Sequence, residues 1–124
     1  MTKILLIAAS GGIGALARYG LAGLTHKLFN FSYPLGTFVV NVVGCLLFGF
    51  IWTLAEDRLL IGGEMRTIIL VGFMGSFTTF STFIFESNQL LRDSQYLLAG
   101  VNLAGQVILG IIALYAGIIL ARSF

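Results

Sequence analysis

Apolar residues run along this chain in four long blocks, and single charges punctuate them. Between Lys3 and Lys27 only Arg18 is charged, and the segments 28–55, 67–85 and 94–121 carry no charge at all. A helix needs about 20 mostly apolar residues to cross the roughly 30 Å of bilayer hydrocarbon. Each block meets that length, so the pattern predicts an all-α integral membrane protein with four transmembrane helices, over 4–25, 36–55, 67–91 and 96–121.

The predicted connections are short and polar: His26 to Tyr33 ending at Pro34, Glu56-Asp57-Arg58 to Glu64-Met65-Arg66, and Arg92-Asp93-Ser94-Gln95. Pro34, the only proline, stands just before a helix start, where its missing N–H is harmless. Gly62-Gly63 breaks the longest loop. With no tandem repeat, low-complexity tract or linker, residues 1–124 read as a single transmembrane domain.

Composition narrows the function classes. Hydrophobic residues make up 58% of the 124 positions and charged residues 10%, against about 45–50% and about 25% in a soluble domain. So few charges cannot build a solvated surface, and the chemistry must sit in or near the bilayer. The seven Lys and Arg residues are scattered singly, at a net charge of +2, and form no nucleic-acid footprint. Cys45 lies in an apolar run and reads as a small buried thiol; no disulfide framework, zinc spacing or Cys/His pair can be drawn. His26 reads as a loop residue with no metal partner.

Two signals are set aside. Ala8-Ala9-Ser10 imitates a signal-peptide cleavage region, but the rest of the chain is as apolar as its start, so this segment reads as the first span. The run Gly11-Gly12-Ile-Gly14-Ala-Leu-Ala17 imitates a dinucleotide turn. That fingerprint needs an acid about 20 positions on, and the next acid is Glu56. Glycines throughout the spans suit close helix packing instead.

Four spans put both termini on one side. That side carries Lys3, Arg58, Arg66 and Arg122, and the other carries Lys27, Arg92 and a snorkelling Arg18. Four against three gives almost no positive-inside bias. One sequence can then insert both ways, which opens the way to an antiparallel, dual-topology homodimer; one true orientation under a weak bias is the alternative.

The informative stretch lies in the third span: Gly72-Phe-Met-Gly75-Ser-Phe77-Thr78-Thr79-Phe80-Ser81-Thr82-Phe83-Ile-Phe85-Glu86. On a continuous helix Phe80 and Phe83 share a face, with Phe77 and Phe73 extending the line and Ser81 and Thr82 to its side. Packing hydroxyls with lipid-facing rings would also fit that periodicity. The cluster Gly75-Ser76 and Thr78-Thr79 is able to break the helix, its hydroxyls serving the freed backbone groups. Unwound carbonyls at membrane depth hold cations, and the N-terminus of the half-helix beyond them presents N–H groups to anions.

Gly75 through Phe83, ending in TTFSTF, resembles the third-helix signature of the Fluc (CrcB-type) fluoride channels. Gly14-Ala-Leu-Ala-Arg18-Tyr19, Pro34-Leu-Gly36-Thr37-Phe-Val-Val-Asn41 and Gly44 also match that family, as do the length and four-span layout. The resemblance implies passive, fluoride-selective export through the cell inner (plasma) membrane, without a catalytic step. It implies an antiparallel homodimer in the lipid bilayer, with two fluoride pores and a central structural sodium ion. The backbone carbonyls of Gly75 and Thr78 from both subunits would hold the sodium. Phe80 and Phe83 would be the pore rings, faced by Asn41, with Thr37, Ser81 and Thr82 along a polar track.

Physical chemistry suits that assignment, because ring edges are positive and neutral donors coordinate a hydrated anion without trapping it. Arg18 would draw anions into a vestibule or simply snorkel. Glu86 suits a packing or pore-end role, and Asn102 and Gln106, spaced i, i+4, either donate to fluoride or bond across helices. The alternative function is a small dual-topology multidrug-type exporter, which needs an exchangeable acid in its first helix. The first span has none.

Overall fold

A computed structural model describes residues 1–30 and 33–124. The first span is α1 (Thr2–Phe29). It runs past the predicted end at 25, because hydropathy marks the hydrocarbon-crossing part of a helix and not its extension into the headgroup region. His26 therefore belongs to the last helical turn and not to a loop, beside Lys27, where basic side chains suit the helix dipole. The helix closes at Asn30, whose N–H still reaches the His26 carbonyl and whose own backbone is left-handed (φ 41°, ψ 40°). Of the predicted connection 26–33, Phe31 and Ser32 lie outside the described residues.

Pro34 precedes α2 (Leu35–Glu56) as predicted. The third span is composite: α3 (Gly63–Thr67), a π-helical segment (Ile68–Met74), α4 (Gly75–Phe77) and α5 (Phe80–Arg92). The fourth span is α6 (Tyr96–Arg122). Each of the four spans is long and apolar enough to cross a membrane.

Lipid tails are as apolar as leucine, so burial alone does not drive these helices together; close shape and hydrogen bonds do. Between α2 and α6, a methyl group at Gly49 would overlap the Leu114 carbonyl, and one at Gly117 the Leu46 carbonyl. Val40, Leu70, Met74 and Phe77 form the buried apolar centre where α2 meets the third span. Leu5, Leu16, Leu97 and Ile119 remain exposed on the outer surface.

The polar ends settle the layout. Arg66 pairs with Glu56, Arg122 reaches Asp57 at 3.2 Å, and the Arg66 guanidinium lies 5.5 Å from the Trp52 ring centre. The 56–66 connection and the C-terminus thus share one end of the bundle, while Tyr33 bonds to Asn102 towards the other.

Candidate functional site

The third span departs from α geometry before it breaks. A π-helix leaves a carbonyl without its usual i+4 donor, and such turns recur at functional sites. Ser10 on α1 donates its hydroxyl to the carbonyl of Ile68, the first residue of this segment, at 2.9 Å. Gly75 is still helical (φ −62°, ψ −27°), so the break begins later than the glycine suggests. Thr78 (φ −83°, ψ 156°) and Thr79 (φ −146°, ψ 108°) are the extended residues.

Threonine hydroxyls make the break stable. Thr78 Oγ1 donates to the Met74 carbonyl at 3.0 Å and closes α4. Thr79 is the N-cap of α5: its Oγ1 accepts from the Thr82 N–H at 3.4 Å and donates to Thr82 Oγ1 at 2.8 Å. On α2, a side chain at Gly44 would overlap the Thr78 methyl, so glycine there admits the break against the helix.

Asn41 on α2 holds the break from the side. The Thr79 N–H donates to Asn41 Oδ1 at 2.9 Å, and Asn41 Nδ2 donates to the Thr79 carbonyl at 3.1 Å and to Gln106 Oε1 at 2.8 Å. In this arrangement the amide is spent on the backbone and on α6, and is not held free before the rings.

Two carbonyls lose their helical donors through these bonds. The Thr79 N–H, which a continuous helix would aim at Gly75, goes to Asn41, and the Thr82 N–H, which would serve Thr78, goes to Thr79 Oγ1. Gly75 and Thr78 are the pair named above as sodium ligands, and neutral backbone oxygens of unwound helices suit that ion. Gly75 is exposed, and a methyl placed there would come no closer to other chain atoms than 3.9 Å, at the Leu70 carbonyl.

The break also divides the aromatic line expected of a continuous helix. Phe73 and Phe77 stack at 5.6 Å before it, and Phe80 and Phe83 meet at 5.8 Å and 57° after it. Phe83 is buried, whereas Phe80 is 75% exposed and turns outward from the bundle. Phe80 shares a depression of about 280 Å³ with Asn41, Cys45, Phe48 and Thr79.

A second depression, of about 300 Å³, brings together Arg18, Thr37, Thr79 and Thr82. Arg18 lies well inside α1, about 16 Å before its end at 1.5 Å per residue. It is half-buried and has no ion pair among the described residues. Thr37 Oγ1 donates to Glu86 Oε1 at 2.8 Å, while Glu86 Oε2 is buried without a hydrogen-bond partner among the described residues. Glu86 lines a third depression with His26 and Tyr33. Burial, and then the Glu86 charge, pushes the Tyr33 phenol above its ordinary range. Ser81 is exposed on α5 and lines none of these depressions.

Sequence reasoning missed Ser87 and Ser10. Ser87 Oγ donates to the Phe83 carbonyl at 2.7 Å and accepts from Asn102 Nδ2 at 2.9 Å. Its position four residues after Phe83 was the available signal, since a serine so placed returns a bond to its own helix.

Residues 5–118 match the model of the family described as CrcB-like protein, Camphor Resistance (CrcB). A protein of Nitrosococcus oceani named fluoride-specific ion channel FluC is 54% identical over 97% of this chain and 96% of its own length. Proteins of the same name from Nitratidesulfovibrio vulgaris and Solidesulfovibrio magneticus are 49% and 50% identical, over 95% and 98% of this chain and the same shares of their own lengths. With its four spans and its broken third helix, the chain is a multi-pass membrane protein, of the plasma membrane in bacteria, and it belongs to the CrcB-like family.

Proposed function

We propose that the chain is a fluoride-selective channel through which fluoride leaves the cell passively, relieving its toxicity. The observation that carries the reading is a third helix broken at Thr78 and Thr79, with rings and neutral donors on its far side, in a chain whose near-full-length relatives bear the name fluoride-specific ion channel. Arg18 draws anions to the depression it shares with Thr37 and Thr82. Beyond the break, the edges of Phe80 and Phe83 and the hydroxyls of Ser81 and Thr82 meet an anion that has shed water. Neutral contacts let it go again, as conduction requires. No step is catalytic.

The working unit is an antiparallel homodimer. Exposed Gly75 supports this, because nothing among the described residues requires glycine there, and a second subunit crossing at that point would. Sodium would be held by the freed carbonyls of Gly75 and Thr78 from both protomers and would raise the local positive potential. Dual insertion predicts that a tag at one terminus is reached from both membrane faces; access from one face alone would remove the antiparallel arrangement.

The decisive experiment is ion efflux from liposomes holding the purified protein. Fluoride should leave under an electrical shunt while chloride stays. Equal release of both ions, or a need for a proton gradient, would overturn the assignment.

A further inference from the structure

A chain of side-chain hydrogen bonds leads away from the helix break through the interior of the bundle. Asn41 Nδ2 donates to Gln106 Oε1 at 2.8 Å, and Gln106 Nε2 donates to Asn102 Oδ1 at 2.9 Å. The same Asn102 oxygen accepts from the Tyr33 hydroxyl at 3.1 Å, and Asn102 Nδ2 donates to Ser87 Oγ, which in turn donates to the Phe83 carbonyl. Asn102 is 0% exposed, and Gln106 and Ser87 are buried.

The direction of every link is fixed by one backbone group. The Thr79 N–H can only donate, so Asn41 must turn its oxygen to it and its nitrogen to Gln106. Gln106 is then forced to offer its oxygen to Asn41 and its nitrogen to Asn102, and Asn102 to offer its nitrogen to Ser87. At the outer end the Tyr33 phenol is a donor and fits the same direction. No member has a reversed amide that would leave two donors or two acceptors facing each other, so the bonds reinforce one another.

We propose that Gln106 and Asn102 are positioning residues for the ion pathway: they hold the Asn41 amide on Thr79 and carry that constraint from the break out to Tyr33 at the end of the bundle. The proposal rests on reading the break as part of the fluoride route. It assigns to α6 an indirect part, through Asn41, rather than contact with the ion. It also makes Ser87 the link by which the same network fixes the carbonyl of Phe83, one of the two rings beyond the break.

Gln106→Met keeps the length and bulk of the side chain and removes both of its bonds. Fluoride efflux from liposomes and hydrogen exchange at the Thr79 amide, taken as a ratio to the Val40 amide, are measured on the same preparation. Flux should fall about tenfold or more, and the Thr79 ratio should rise by a similar factor, with the Asn41 amide left without its partner on α6. Global loosening would raise both amides together and leave the ratio unchanged. An unchanged ratio, or a flux within twofold of the parent, overturns the proposal, since a packing residue tolerates Met. Should Gln106→Met fail to assemble, Tyr33→Phe removes one hydroxyl at the outer end. Its Thr79 ratio should rise about threefold, and no rise overturns the proposed reach to Tyr33. A parent that passes chloride as well as fluoride would sink the reading of the route, whereas the amide ratio decides the network by itself.

Discussion

Asn41 stands in for a turn of helix at Thr79: its oxygen takes the N–H that Gly75 would have accepted, and its nitrogen serves the Thr79 carbonyl. A side chain on α2 thereby satisfies both backbone groups of a residue at membrane depth, where water is not available to do so. Asn41→Ala leaves both unserved. The expected result is a stability loss of about 1–3 kcal/mol by denaturant titration in detergent, together with loss of fluoride flux. Asn41→Asp still accepts from Thr79 and should fall between Ala and the parent. Parent-like stability in Asn41→Ala would show that the break holds itself.

The ring pair separates coordination from packing. Phe80→Ile and Phe83→Ile keep the site apolar at similar volume, so a pure packing role predicts a loss of about 1 kcal/mol or less at buried Phe83 and normal transport. Coordination by ring edges predicts folded dimers with steeply reduced fluoride efflux. Phe73→Ile, stacked with Phe77 before the break, is the control and should conduct like the parent. If all three variants conduct normally, Phe80 and Phe83 are packing residues.

Gly75 and Thr78 are proposed to act through backbone oxygens, so the two positions should respond unlike one another. Thr78→Ser retains the hydroxyl that closes α4 and should be mild in both assembly and flux. Gly75→Leu has space within its own protomer and should fold, yet migrate as a monomer on size exclusion because the second subunit cannot approach. A Gly75→Leu dimer as stable as the parent's would remove the central site.

Tyr33 gives a pH dependence with a definite sign. Its phenol is raised above the ordinary value of 10.0 by burial and then by Glu86. A group raised on folding favours the folded state fully below its unfolded value, and that contribution is lost as pH climbs through the higher folded value. Stability of the parent should therefore decline from pH 10.0 upward more steeply than that of Tyr33→Phe. Parallel curves for the two proteins would remove Tyr33 from the buried network.

The four spans were legible because charges bracket long apolar blocks, a pattern that depends only on what the bilayer excludes. The TTFSTF run located the break, since hydroxyls at 78 and 79 are what an interrupted membrane helix requires. Its start at Thr78 and not at Gly75 was not legible, because glycine tolerates helical geometry as readily as it leaves it. The π segment was invisible: Ile68 to Met74 is uniformly apolar, and no side-chain period distinguishes an i+5 ladder from an i+4 one. Asn102 and Gln106 stood out as polar residues on one face, but their orientation depends on Asn41 and Tyr33, both more than sixty positions away.

The π segment also sets how the third span can change in length. Each residue added to or removed from an α-helix turns everything beyond it by about 100° and shifts it by about 1.5 Å. A single deletion within Ile68–Met74 would let the segment relax to the tighter ladder at little local cost, and would look harmless in a comparison of hydrophobicity. Because the i+5 ladder holds one residue more per turn than the i+4 ladder, that deletion leaves Gly75 on the outer face and Thr79 at Asn41, whereas an insertion would turn both away. The segment is thus a one-residue reserve in the third span, and Gly72 is its fixed point, because a methyl group there would overlap the Ser10 hydroxyl.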